Sequence, residues 1–368
     1  MDVLEEAIRL EKQGRDIVHL EVGEPDFPTP DVVVDAGIRA LREGHTRYTH
    51  SLGHPELREA VASFYRKTYG VDVSSSRVIV TVGSSGAMLL AFATLLDPGT
   101  EVLMSDPHYA CYPNFVSSFG ALPVQIRIHE EDGFLLDAEA VRKRVGPQTR
   151  ALVLNSPANP TGSVTPSDRM AKLCRAVEGR AVVVSDEVYH GLVYEGQAHT
   201  ALEYSSDVVV INGFSKLFSM TGWRLGYAIV PLEIVCPMQK LQQNLYVSSP
   251  DFTQVAALAA LTRTASDVER MIESYRIRRQ MILESLSAMG LEVPVPPTGA
   301  FYVFVNVKRY TEDVQEFAFQ LLQKAGVAVA PGVDFGISRE GFIRISYANS
   351  LDNLKEGMNR LKGFLDRR

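Results

Sequence analysis

The stretch Asp207-Val-Val-Val-Ile-Asn-Gly-Phe-Ser-Lys216 carries four β-branched residues in succession with no polar residue among them. A strand without polar alternation is buried on both faces, and such strands belong to parallel sheets covered by helices on each side. Outward from it the same pattern recurs at Val78–Val82, Glu101–Ser105, Pro123–Ile128, Ala151–Asn155, Ala181–Asp186 and Leu225–Val230. Helical patterns intervene, as in Pro55–Tyr69, where Leu57, Ala60, Val61 and Phe64 are expected on one face. The alternation predicts an α/β fold whose ligands bind at the C-terminal ends of the strands. After Pro250 the pattern changes: one long helix over Thr253–Met289 is expected, then a strand at Ala300–Val307, a helix near Asp313–Ala325, a strand at Ile343–Ser346 and a last helix from Asp352. Strands and helices segregate there, as in a small α+β domain, which the extreme N-terminus is expected to join.

With 368 residues, 46% of them hydrophobic, the chain can bury a large core and has room for two domains. A net charge of -7, with no lysine- and arginine-rich run, argues against nucleic acid as a partner. No stretch approaches the ~20 apolar residues of a membrane span. The opening MDVLEEAIRLEKQG reads as a charged amphipathic helix rather than a signal peptide. Cys111, Cys174 and Cys236 show neither a disulfide framework nor metal spacing, so no metal is expected and a reducing cytoplasm fits.

Chemistry-bearing residues gather at the strand ends. Lys216 follows the strand Val208–Asn212 closely, and a lysine there can form an imine with an aldehyde if a dry, cationic site lowers its pKa. Arg224, eight residues on, can grip a phosphate through two N–H groups at once. Gly83-Ser84-Ser85-Gly86 joins a strand to the helical pattern AMLLAFATLL, so backbone N–H groups, hydroxyls and the positive end of a helix dipole would face an anion. Asp186 ends a strand in Ser-Asp-Glu-Val-Tyr, where a carboxylate can keep a pyridinium nitrogen protonated, and Tyr189 could donate to a phenolate oxygen. The stiff loop Ser156-Pro-Ala-Asn-Pro-Thr-Gly162 could place the amide of Asn159 on that same oxygen. Each has a plainer reading: surface charge, a capped strand–helix turn, an aspartate cap with Glu187 as a solvated neighbour, an ordinary turn. Together they supply the contacts that a pyridoxal 5′-phosphate ring needs.

In these motifs the sequence resembles the fold-type I, pyridoxal 5′-phosphate (PLP)-dependent class I/II aminotransferases, in the bacterial aspartate aminotransferase-like branch marked by SK…MTGWRxGY. The resemblance runs through Gly23-Glu-Pro-Asp-Phe27, Tyr48…Gly53-His-Pro-Glu-Leu-Arg58, Asn-Pro-Thr-Gly, Asp-Glu-Val-Tyr, the lysine segment, Gly299-Ala-Phe-Tyr302 and Arg344-Ile-Ser-Tyr-Ala348. It implies a large domain, 31–282, with a mainly parallel seven-stranded sheet sandwiched by helices, and a small α+β domain of 1–30 and 283–368. It implies that Lys216 is the Schiff-base lysine and proton carrier, that Ser84, Ser85, Ser215 and Arg224 hold the phosphate, and that Tyr109 stacks on the ring. Asn159 and Tyr189 would contact the phenolate oxygen, and Asp186 the ring nitrogen. Arg344 would clamp the substrate carboxylate with Gly23 and Asn159. Tyr48 would reach the phosphate of a neighbouring subunit, making a homodimer with shared sites. The activity implied is amino transfer between an L-amino acid and a 2-oxo acid such as 2-oxoglutarate, by ping-pong through pyridoxamine phosphate; the alternative is a carbon–sulfur β-lyase on the same fold.

Three departures from the family pattern stand out. Gly213 occupies a place where many relatives carry a phosphate-binding hydroxyl, the segment Leu245–Phe252 lacks an arginine for a distal carboxylate, and the chain starts late.

Overall fold

The computed structural model describes residues 2–291, 293, 295–336 and 341–368. In chain order the strands are β1 (Val18–His19), β2 (Val78–Thr81), β3 (Glu101–Asp106), β4 (Leu122–Arg127), β5 (Thr149–Asn155), β6 (Val182–Asp186), β7 (Val208–Gly213), β8 (Gly226–Ile229), β9 (Tyr302–Asn306), β10 (Val327–Ala328), β11 (Ala330–Pro331) and β12 (Phe342–Ser346). The helices are α1 (Asp2–Glu11), α2 (Asp31–Arg42), α3 (Pro55–Tyr69), α4 (Gly83–Leu95), α5 (Tyr112–Ser117), α6 (Ala138–Arg144), α7 (Ser167–Val177), α8 (Leu232–Leu245), α9 (Asp251–Arg263), α10 (Ala265–Ala288), α11 (Val314–Ala325) and α12 (Leu351–Leu365).

The seven strands expected for the large sheet form one sheet in the order β2-β8-β7-β6-β5-β3-β4. It is parallel except at β8, which runs antiparallel to both of its neighbours, β2 and β7. Strands β2, β7 and β8 are buried along their whole length, as a sheet covered on both faces requires. Each buried valine or isoleucine contributes about 1.5–3 kcal/mol relative to exposure, so the sheet is the main store of stability.

Pairing register brings the functional strand ends to one rim. Asn155 lies opposite Asp186, and Asp186 opposite Ile211. Two residues further along β7, Gly213 pairs with Gly226, which also pairs with Thr81 at the end of β2. Helix α4 packs against β7 and β8 on one side and α8 on the other. It starts earlier than the sequence suggests: Gly83-Ser84-Ser85-Gly86 is its first turn rather than a loop before it.

Two helical expectations need correction. The long stretch after Pro250 is not one helix but α9 and α10, broken at Thr264, whose hydroxyl donates to Ala260 O at 2.7 Å. The backbone at Thr264 leaves the helical region, with φ -109° and ψ 15°, and the ladder ends there. In α3 the buried face runs Leu57, Val61, Ala62 and Tyr65, with Ala60 and Phe64 only half-buried. That helix begins on Pro55 and stops at Gly70, whose φ of 70° closes the last turn in the left-handed conformation.

Segments at the two chain ends meet away from the large sheet. Strand β1 pairs in parallel with β10, while β11, β12 and β9 form a three-stranded antiparallel sheet carrying Arg344 on its central strand. Among the described residues no helix is long and apolar enough to cross a membrane.

Candidate active site

Lys216 leaves the sheet just after β7 and is half-buried. Its Nζ donates to Gly23 O at 2.5 Å and lies 5.9 Å from the centre of the Tyr189 ring and 6.0 Å from that of Phe301. Burial pushes its ammonium down to about 8; Glu24 opposes the shift, and Arg344 and Arg224 add to it. Partial burial and the two nearby arginines act on the lysine in the direction the sequence reading asks for, against Glu24.

Asp186 is buried at the end of β6, where burial raises its carboxyl to about 6. Tyr112 donates to its Oδ2 at 2.6 Å, and the Val188 N–H to its Oδ1 at 3.2 Å. Tyr109 stands edge-on to Tyr112, with ring centres 5.4 Å apart. Tyr189 shares a 2.7 Å hydrogen bond with the hydroxyl of Tyr302.

The phosphate-side residues converge where α4 begins. Val82 caps this helix without a side-chain hydrogen bond, so its first-turn N–H groups, including those of Ser84 and Ser85, lack a side-chain cap. Arg224 sits beside them in the left-handed region (φ 54°) and donates to Thr221 O at 2.8 Å. A Cβ built on Gly83 would lie 2.9 Å from the Arg224 guanidinium, and one built on Gly226 2.6 Å from the Gly83–Ser84 backbone. Glycine at both places is what lets β8 and the helix start approach. Ser215 is buried in the same segment as Lys216. At Gly213 a Cβ would come within 3.2 Å of Gly226, so the two backbones pack closely there.

Arg344 is buried in β12. Its Nη1 donates to Asn159 Oδ1 at 2.9 Å, and its Nη2 to Glu21 O. The guanidinium is sandwiched between the rings of Tyr302 and Phe335, at 4.4 and 4.7 Å. Its Nε is buried and meets no acceptor among the described residues. A buried donor left without a partner costs free energy unless a ligand satisfies it, and a carboxylate would. Asn159 itself is held by its N–H to Asn155 Oδ1 at 2.8 Å.

The structure therefore brings Lys216, Asp186, Tyr189, Asn159, Gly23 and Arg344 into one connected group, with Tyr109 beside Asp186. Ser84, Ser85 and Arg224 form a second group at the start of α4. Tyr48 joins neither: it is 83% exposed, on a concave surface it shares with Arg47 and Ser248–Phe252. Glu187 is corrected, since it is no solvated neighbour. It is buried and accepts hydrogen bonds from Tyr65, Ser185, Thr200 and the Ala201 N–H. Tyr112, Tyr302 and Phe335 were missed. Only Tyr302 had a signal, its place in Gly299-Ala-Phe-Tyr302.

A family model described as aminotransferase class I and II matches residues 15–361. The chain belongs to that family. Its members are transaminases that use pyridoxal 5′-phosphate, and so this enzyme is a PLP-dependent aminotransferase. Among its relatives, the (5-formylfuran-3-yl)methyl phosphate transaminase of Methanocaldococcus jannaschii is 42% identical over 100% of this chain and 96% of that one. The aspartate/prephenate aminotransferase of Thermus thermophilus is 42% identical, covering 98% and 94%. A solved aminotransferase from Mycobacterium tuberculosis superposes with a TM-score of 0.96 at 37% identity, covering 100% and 96%. The donor set of this aminotransferase suits the cofactor: a half-buried amine for its aldehyde, a buried carboxylate for its ring nitrogen, and a helix start with a nearby arginine for its phosphate.

Proposed function

We propose that the enzyme moves an amino group from an L-amino acid to a 2-oxo acid, with 2-oxoglutarate as acceptor, by ping-pong through pyridoxamine phosphate. The observation that carries this reading is the joint placement of an amine and a guanidinium. Lys216 and the buried Arg344, whose Nε has no acceptor among the described residues, meet around Gly23 and Glu21 on one segment.

When bound, the cofactor supplies an electron sink for charge that develops at the substrate α-carbon. The remaining work falls to side chains. Arg344, with Asn159 and the Gly23 backbone, holds the α-carboxylate and so orients the α-proton toward Lys216. An amine with a pKa of about 8 is neutral often enough near neutral pH to take that proton and hold it for return. Asp186 faces the ring nitrogen; a cation there would draw the carboxyl back to its charged form, which keeps the nitrogen protonated. Tyr189 and Asn159 hold the phenolate oxygen. Tyr109 covers the ring, while Ser84, Ser85, Ser215 and Arg224 hold the phosphate.

Tyr48 is assigned to the phosphate of a neighbouring subunit. Its exposure and the apolar residues exposed on flanking elements, Ile38, Leu41, Leu245 and Val247, suit a homodimer. The division into a large domain of 31–282 and a small domain of 1–30 with 283–368 follows the separation of the sheets. Cytoplasmic placement fits the free cysteines.

The test is an absorbance titration of the cofactor-loaded protein with single amino acids. A productive donor converts the spectrum to that of pyridoxamine phosphate, and 2-oxoglutarate restores it. If no amino acid changes the spectrum, the proposal fails; pyruvate and ammonia released without an acceptor would mark a lyase instead. Lys216→Ala should bind cofactor but lose turnover by about 10⁴-fold.

A further inference from the structure

Tyr302 is fully buried on β9, and each of its two ends touches a different half of the site. Its ring lies under the Arg344 guanidinium at 4.4 Å. Its hydroxyl is 2.7 Å from that of Tyr189, 113 residues earlier in the chain. Gly23 leaves that hydroxyl room from a third direction: a Cβ there would come within 2.5 Å of it. The charged and titratable groups around the tyrosine pair include Arg344, Lys216, Tyr109, Tyr112, Tyr275 and Tyr347.

A tyrosine hydroxyl has one proton to donate. If Tyr189 gives its proton to the phenolate oxygen of the cofactor, the proton in the 2.7 Å bond between the two tyrosines must come from Tyr302. Accepting that bond polarises Tyr189 and strengthens the bond it donates, since linked hydrogen bonds reinforce one another. The ring contributes separately, because an aromatic face under a desolvated guanidinium steadies the cation. We propose that Tyr302 is a positioning residue serving both halves of the site: its hydroxyl drives Tyr189 to donate to the cofactor, and its ring holds Arg344 ready for the substrate carboxylate. This rests on the assignment of Tyr189 to the phenolate oxygen.

Two substitutions separate the roles. Tyr302→Phe keeps the ring and removes the hydroxyl. A weaker donor on the phenolate oxygen lets that oxygen hold a nearby proton more tightly. The midpoint of the absorbance change of the bound cofactor with pH therefore rises, by about half a unit, while KM for the amino acid stays within about twofold. Tyr302→Leu removes the ring as well and raises KM about tenfold. Because the hydroxyl acts through Tyr189, Tyr302→Phe leaves the midpoint unchanged in a Tyr189→Phe background. An equal shift in both backgrounds, or none in the wild-type background, overturns the proposal. A wild-type enzyme whose cofactor absorbance does not titrate at all would refute the assignment of the site, and this proposal with it.

Discussion

At the scale of single residues, the charge- and proton-bearing groups of the large sheet were legible because each lies at or just beyond the end of a strand, in its own short signature. Lys216, Asp186 and Asn155-linked Asn159 all sit within a few residues of an apolar run. Their partners were not, because the contacts cross long stretches of chain: Tyr112 reaches Asp186 from 74 residues away. Glu187 shows the same limit. Burial lifts its carboxyl from 4.5 to about 7, despite four hydrogen bonds donated to it. Between those values the folded state binds more protons than the unfolded chain, so this residue favours folding most below pH 4.5 and loses that contribution as pH rises through 7. Glu187→Gln should remove the slope. Urea unfolding at pH 5 and pH 8 should show the variant gaining on the wild type by about 2 kcal/mol between the two.

At the scale of elements, the strands of the large sheet fall within about a residue or two of their sequence-based limits, since runs of β-branched residues flanked by turn formers mark both ends. The helix after Pro250 misled because its apolar pattern continues across Thr264, where the backbone turns out of the helical region. The meeting of β8 with the start of α4 was invisible for a different reason: it depends on side chains that are missing. Gly226→Ala would press a methyl into the Gly83–Ser84 backbone. It should cost about 2–3 kcal/mol of stability, as overpacking does. Cofactor affinity should fall with it, read by the concentration of added PLP needed for half-maximal absorbance. A variant as stable and as tightly loaded as the wild type would show that the approach can relax.

For the whole molecule, the sequence spoke through its resemblance more than its composition, because a shared active site is a property of an assembly. The proposed homodimer makes a sharp demand. Mixing Lys216→Ala with Tyr48→Ala subunits should yield hybrid dimers in which one site has lost both residues and the other keeps both. Random reassociation would restore wild-type turnover in about a quarter of the sites. No recovery above the parents would place Tyr48 outside the neighbour's site. One feature of the large sheet bears on how far the chain can be altered. Lys216 and Arg224 lie on a single excursion that leaves the sheet at Gly213 and re-enters it at Gly226, directly opposite. The spacing between amine and guanidinium is thus fastened at both ends within adjacent strands and owes nothing to the order in which the remainder of the chain is threaded. New termini opened in a distant surface loop would leave that spacing intact, whereas one residue inserted between 216 and 224 would set the two out of step.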